Sequence, residues 1–186
     1  MKKFLLVFAF SISLAASAQT ITIAKGKLID SLIVSDSIPE TFALYLPSTF
    51  DISKKWPVVF VFDMKGRGKQ ATSMMLQSAE KEGYVVASSN NVNDSLSIAK
   101  NVLVASRMFN QVAAMLPLNT ERIYTAGFAG GGRLASVLPT FIKNIAGVIS
   151  CGASISNFEV LIHREVPTND GGLALGQAAI AAWQLK

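Results

Sequence analysis

The sequence predicts an α/β fold in which a mostly parallel sheet is flanked by helices and preceded by an antiparallel hairpin. Three observations lead to this prediction. The run Trp56–Phe62 is apolar throughout, which is typical of a strand buried on both faces. Apolar residues recur with a period near 3.6 over residues 96–116, which indicates an amphipathic helix. A glycine-rich turn at 127–132 separates a β-prone segment from a helical one, and strands alternating with helices favour parallel pairing.

The N-terminal residues have the layout of a signal peptide. Lys2 and Lys3 precede an apolar run over 4–14, and the small residues Ala16 and Ala18 stand just before Gln19. The apolar run is shorter than the roughly 20 residues that cross a membrane. We therefore expect a secreted or periplasmic protein without a membrane span, from which residues 1–18 are cleaved.

Charge, length and cysteine content narrow the class of protein further. The 186 residues carry a formal charge of +5, two of whose contributors lie in the predicted signal peptide, and the other basic residues are scattered. Scattered charge does not favour nucleic-acid binding. After the signal peptide the chain is long enough for one domain with a real core. Cys151 is the only cysteine and ends an apolar run, so we expect a buried strand cysteine and no internal disulfide.

The elements follow from local pattern. Short strands at 21–23, 28–34 and 41–46 form the predicted lead-in hairpin, with Phe42, Leu44 and Leu46 on one face. A loop at 63–68 follows the buried strand Trp56–Phe62. The later expectations, in order, are a helix over 69–82 that stops at Gly83, a strand at 84–88, a polar loop at 89–94, the helix over 96–116 that stops at Pro117, a strand at 122–126, a helix over 133–142 and a strand at 147–151.

The glycine-rich turn reads Gly127-Phe128-Ala129-Gly130-Gly131. Small residues two before and two after a central residue allow a sharp strand-to-helix turn, as in the pattern G-x-S-x-G, here G-x-A-x-G. Over about 41–157 the chain thereby resembles the α/β-hydrolase superfamily, specifically secreted esterases of the polyhydroxyalkanoate-depolymerase and feruloyl-esterase kind. A plain strand-to-helix turn and a phosphate-binding loop are the alternatives. The chain contains neither a dinucleotide-binding G-x-G-x-x-G nor a Walker Gly-Lys-Ser/Thr.

The hydrolase resemblance assigns roles to three positions. It implies that Ala129 occupies the nucleophile position without a nucleophilic atom, and that the backbone N–H groups of Met64, in the loop 64–68, and Gly130 form the oxyanion hole. The family's acid and histidine strands have no counterpart after Cys151. His163, the only histidine, is expected to be a lone surface residue, and Ser136 lies about two helical turns beyond Ala129. We therefore expect a truncated, catalytically inactive hydrolase-like domain.

The C-terminal residues 158–183 have a different resemblance. Their segment Pro167-Thr168-Asn169-Asp170-Gly171-Gly172 is similar to the C-terminus of hydrogenase-maturation carbamoyltransferases. That resemblance implies a nucleotide site in which Asp170 would ligate a metal and the two glycines would admit phosphates. A single carboxylate without companion ligands does not make a metal site, so we expect no metal and no cofactor.

The signal-peptide layout and the two resemblances together predict three parts, namely a signal peptide (1–18), a truncated hydrolase-like domain (19–157) and an unrelated tail (158–186) joined near Asn157. The leading hypothesis is an exported, inactive esterase-like protein. The alternatives are a carbamoyltransferase fragment, an active esterase with an unrecognised nucleophile, and a non-catalytic module that binds a small ester or saccharide. The sequence does not indicate whether the protein is a monomer or an oligomer.

Overall fold

The computed structural model describes residues 23–35 and 37–153. Within them the chain forms six strands, four α-helices and one short 3₁₀ helix. In chain order they are β1 (Leu28–Ser35), β2 (Ile38–Tyr45), β3 (Trp56–Phe62), α1 (Gly68–Ser73), α2 (Leu76–Glu82), β4 (Val85–Ser89), α3 (Ile98–Met115), β5 (Leu118–Phe128), α4 (Gly130–Val137), the 3₁₀ helix Leu138–Thr140 and β6 (Ile145–Cys151).

The strands form one mixed sheet in the order β1-β2-β4-β3-β5-β6. The hairpin β1–β2 is antiparallel, and β2 also pairs antiparallel with β4. Strands β4, β3, β5 and β6 are parallel to one another. The carboxyl ends of these four strands therefore meet at one edge of the sheet, where ligands bind in open α/β folds.

Alternate residues of β3 contribute to two hydrophobic layers. Val58, Phe60 and Phe62 pack in the layer that contains residues of α3 and α4, whereas Val59 and Val61 pack in the layer that contains residues of α1 and α2. All five side chains are buried. Because a strand covered on both faces exposes no side chain to water, its sequence is apolar at every position.

The structure confirms the predicted α/β class, the hairpin and the order of the elements. Two helix predictions were wrong. The segment 69–82 is two helices that break between Ser73 and Leu76, and the second ends at Gly83, whose φ of 69° provides the left-handed C-terminal residue. The helix after the glycine turn begins at Gly130 rather than Arg133, and its α-helical part ends at Val137 because Pro139 cannot continue the hydrogen-bond ladder.

Other predicted segments differ in length or fall outside the described residues. Strand β5 begins at Leu118, earlier than expected, and Ile23 is not in a strand. The predicted signal peptide and the C-terminal tail lie outside the described residues, as do most of the expected strand 21–23. None of the helices within 23–35 and 37–153 is long and apolar enough to cross a membrane.

Candidate active site

The glycine-rich turn forms a sharp reversal between a strand and a helix. Strand β5 runs to Phe128, Ala129 adopts φ 49° and ψ −118°, and α4 begins at the next residue. The Ala129 N–H donates to the carbonyl of Cys151 at 2.8 Å, and the Ala129 carbonyl accepts from the Arg133 N–H at 3.0 Å. Positive φ is costly for a residue with a β-carbon, so these bonds hold a strained residue at the exposed apex.

The glycines on either side of Ala129 are required by close backbone packing. A β-carbon on Gly131 would lie 2.0 Å from the carbonyl oxygen of Phe62, at the end of β3. A β-carbon on Gly127 would lie 2.2 Å from the carbonyl carbon of Gly131. The first turn of α4 therefore rests directly on β5 and β3, and no side chain fits between them.

The loop after β3 lies against the start of α4. A β-carbon on Gly130 would lie 2.9 Å from Cγ of Met64 and 3.3 Å from Oδ1 of Asp94. Met64 and Gly130, the two residues assigned to the oxyanion hole by resemblance, are thus brought together. The Asp94 carboxylate lies beside them, and no sequence pattern had pointed to it.

Asp94 reaches this position because two loops are bonded to each other. Its N–H donates to the carbonyl of Met64 at 2.9 Å, and Lys65 forms an antiparallel bridge with Asn93. The buried side chain of Asn101 accepts from the Asn93 N–H at 3.0 Å and donates to the Asn93 carbonyl at 2.9 Å. Because a buried amide without partners is costly, this anchor fixes the loop that carries Asp94.

Ser136 and Cys151 lie near the turn, and neither side chain is placed for attack. Ser136 is buried, and its hydroxyl donates to the carbonyl of Arg133 at 2.9 Å. Cys151 is half-buried at the end of β6 as a free cysteine, and burial raises the pKa of its thiol. A raised pKa keeps the thiol protonated near neutral pH, which lowers its reactivity.

Two residues singled out in the sequence, the lone histidine and the weak metal-ligand candidate of the tail, fall outside the described residues. His163 and Asp170 both lie in the C-terminal tail, so the predictions for them remain predictions. Among residues 23–35 and 37–153 there is no histidine, and no three histidine, cysteine, aspartate or glutamate side chains are grouped as metal ligands.

A polar cleft of about 660 Å³ lies beside the loop after β3. Its walls come from β1, from the end of β4 and from the start of α1, and its polar lining includes Asp30, Ser31, Thr41, Arg67, Lys69 and Asn90. The sequence analysis missed this site because its residues come from segments up to 60 positions apart. The only sequence pattern that indicates close backbone packing at this place is the pair of glycines in the loop 63–68.

The mostly parallel sheet, the reversal after β5 with glycines on either side, and the loop after β3 define an α/β-hydrolase-like fold. Solved esterases share it. A thermostable esterase superposes with a TM-score of 0.57 at 14% identity, over 69% of this chain and 41% of that one. Est1E from Butyrivibrio proteoclasticus gives 0.52 at 12% identity, over 68% and 51%. Acetyl xylan esterase from Aspergillus awamori gives 0.51 at 18% identity, over 69% and 55%.

These likenesses show the fold and leave the activity open. This chain spans only about half the length of those esterases or less. No protein-family model and no curated protein matches the chain.

Proposed function

We propose that this protein is an exported, esterase-like α/β-hydrolase homologue that binds an ester or saccharide and does not cleave it. The observation that carries the proposal is the methyl group of Ala129 at the apex of the reversal. In an esterase of this fold the apex side chain supplies the oxygen that attacks the ester carbonyl. A methyl group has no lone pair and no proton to transfer, so covalent catalysis cannot start there.

The charge beside the reversal supports the same proposal. An oxyanion hole stabilises negative charge that develops on the substrate oxygen, and it does so with N–H donors. Here the Asp94 carboxylate lies beside Gly130, one of the two proposed donors. An exposed carboxylate at this place opposes a developing oxyanion weakly, because water screens it, and this is a second reason to expect binding without turnover.

The export part of the proposal rests on the signal-peptide layout of residues 1–18. The carbamoyltransferase alternative rests on the tail alone, which lies outside the described residues. The esterase-like part is supported by the fold and by the closeness of the two loops, since a β-carbon on Gly130 would lie 2.9 Å from Cγ of Met64.

Hydrolysis of p-nitrophenyl acetate and p-nitrophenyl butyrate by the purified protein tests the proposal. We expect release of p-nitrophenol at the rate of a heat-denatured control, since residual catalysis without a nucleophile is slight. Turnover that a serine-directed fluorophosphonate abolishes would reveal an active serine and overturn the proposal. Labelling of Ser136 by that reagent, identified by mass spectrometry, would overturn it as well.

A further inference from the structure

The polar cleft beside the loop after β3 has walls that are fixed before any ligand arrives. A β-carbon on Gly66 would lie 2.7 Å from the carbonyl oxygen of Asn90, and one on Gly68 would lie 2.4 Å from Oδ1 of the same residue. The loop therefore packs directly on the end of β4. The Asn90 side chain donates to Thr41 Oγ1 at 3.1 Å and to Asp30 Oδ1 at 3.3 Å, which joins the loop to the hairpin.

A bulge in β1 directs two side chains into this cleft. Ile29 pairs with Leu44 and Leu32 pairs with Phe42, so Asp30 and Ser31 together oppose one residue of β2. Ser31 has a φ of 63°, a conformation that favours glycine, and yet a serine hydroxyl is present there. Strained residues of this kind concentrate at binding sites, where the side chain is needed.

The lining chemistry separates the classes of ligand. The lining includes Arg67 and Lys69, and the Arg67 guanidinium also forms an ion pair with Asp63 at 2.7 Å. The lining also includes Ser31 and Thr41, which carry hydroxyls, and Asp30, which carries a carboxylate. Two cationic side chains together with hydroxyl and carboxylate partners in one cleft suit a ligand that carries a carboxylate and several hydroxyl groups.

We propose that this cleft is a binding site for an acidic sugar, with the carboxylate of a uronic acid toward Arg67 and Lys69 and the ring hydroxyls toward Asp30, Ser31 and Thr41. Charge-assisted hydrogen bonds to the carboxylate provide most of the selectivity over neutral sugars. The cleft is separate from Ala129, so the proposal stands whether or not the reversal is catalytic.

Calorimetric titration of the purified protein with galacturonate, glucuronate, glucose and glycine tests this site. We expect saturable binding of a uronate with a dissociation constant of about 1 mM or tighter, weakening as salt rises, and weaker binding of glucose. Absence of saturable uronate binding up to about 10 mM, ten times that constant, would overturn the proposal. Tighter binding of glycine than of either uronate would overturn it too, because it would indicate an amino-acid site.

Two variants connect the binding to the cleft. Lys69→Gln should weaken uronate binding about fivefold or more and leave glucose binding nearly unchanged, whereas Lys143→Gln, an exposed lysine elsewhere, should change neither. Equal uronate affinity in Lys69→Gln and the unmodified protein would overturn the proposal.

Ser31→Gly separates binding from folding. Glycine relieves the positive φ while it removes the hydroxyl, so the thermal midpoint should stay the same or rise while uronate affinity falls. Asn144→Gly is the matched control, because Asn144 has a φ of 69° outside the cleft and its replacement should not alter affinity. Unchanged affinity in Ser31→Gly would exclude the proposed hydroxyl contact.

Discussion

Ala129, at the apex of the reversal between β5 and α4, has the backbone geometry of a nucleophile position without a nucleophilic side chain. The backbone has the strained geometry of a nucleophile position, with φ 49° and ψ −118°, and the surrounding glycines allow it. Yet the side chain at Ala129 is inert. A backbone conformation of this cost persists because the packing of α4 on β3 and β5 determines it, independently of any reaction.

Ala129→Ser should fold normally and remain a poor esterase. The exposed β-carbon accommodates a hydroxyl, but no histidine among the described residues can take its proton, and Asp94 opposes the oxyanion. We expect kcat for p-nitrophenyl acetate to stay below about 1 per second, the lower end of ordinary enzymes. Initial-rate measurements check this. The double variant Ala129→Ser, Ser136→Ala is the control for any contribution of the buried Ser136 hydroxyl. A kcat of ordinary size would mean that a base reaches the apex.

Gly131→Ala should be far more damaging than Gly130→Ala. At Gly131 the added methyl meets the Phe62 carbonyl at 2.0 Å, and neither backbone can move without separating α4 from the sheet. At Gly130 the nearest atom is in the flexible Met64 side chain, and alanine favours a helix. Urea unfolding should give a loss of about 3 kcal/mol or more for the first and about 1 kcal/mol or less for the second. Similar losses would contradict the packing described above.

Sequence periodicity predicted the long helices and strands, and it failed where tertiary contacts determine the local structure. Strand β3 was predicted with its observed bounds because burial on both faces makes every residue apolar. The break between α1 and α2 was missed because Met74 and Met75 favour helices. Asp94 and the cleft were missed for a related reason. Asp94 depends on the Asn101 anchor and the cleft on the bulge at Ser31, and neither long-range contact leaves a local pattern.

Helix α2 is tied to the end of β2 by a hydrogen-bonded carboxylate. The Tyr45 hydroxyl donates to Glu80 Oε2 at 2.5 Å, and the Ser48 N–H donates to the same oxygen at 2.9 Å. Burial, together with the bond to Glu80, raises the pKa of Tyr45 to about 12. The protonated phenol is thus favoured in the folded state, and its stabilising effect should be full below about pH 10 and lost as pH rises through 12.

Tyr45→Phe tests this link. The free energy of unfolding of the unmodified protein should exceed that of Tyr45→Phe near neutral pH, and the difference should shrink between pH 10 and 12. Rapid urea unfolding at each pH measures it, and the variant corrects for the other titrating groups. A difference that stays constant to pH 12 would show that the phenol does not stabilise the fold through its proton.

At the scale of the whole molecule, the described sheet has a core on both faces. The two hydrophobic clusters contain residues from every one of the strands β1–β6 and from all four helices. At one end of the sheet, β6 pairs with β5 and with no other described strand. Unpaired edges invite association with other chains, so the edge along β6 is where another segment or a second chain would add.

The last prediction concerns what the sheet needs in order to fold. Since all six strands of the described sheet are formed by Cys151, a chain ending after Ala153 should unfold in one cooperative transition, with a midpoint within about 4 °C of the full protein, equivalent to about 1 kcal/mol or slightly more. A chain ending after Asn144 is the control. It lacks β6 and the buried Ile149, exposes β5 along its length, and should lose the transition. Thermal melts followed by circular dichroism distinguish the two. If the chain ending after Ala153 also melts without cooperativity, residues 154–186 are part of the fold, and the proposed boundary near Asn157 is wrong.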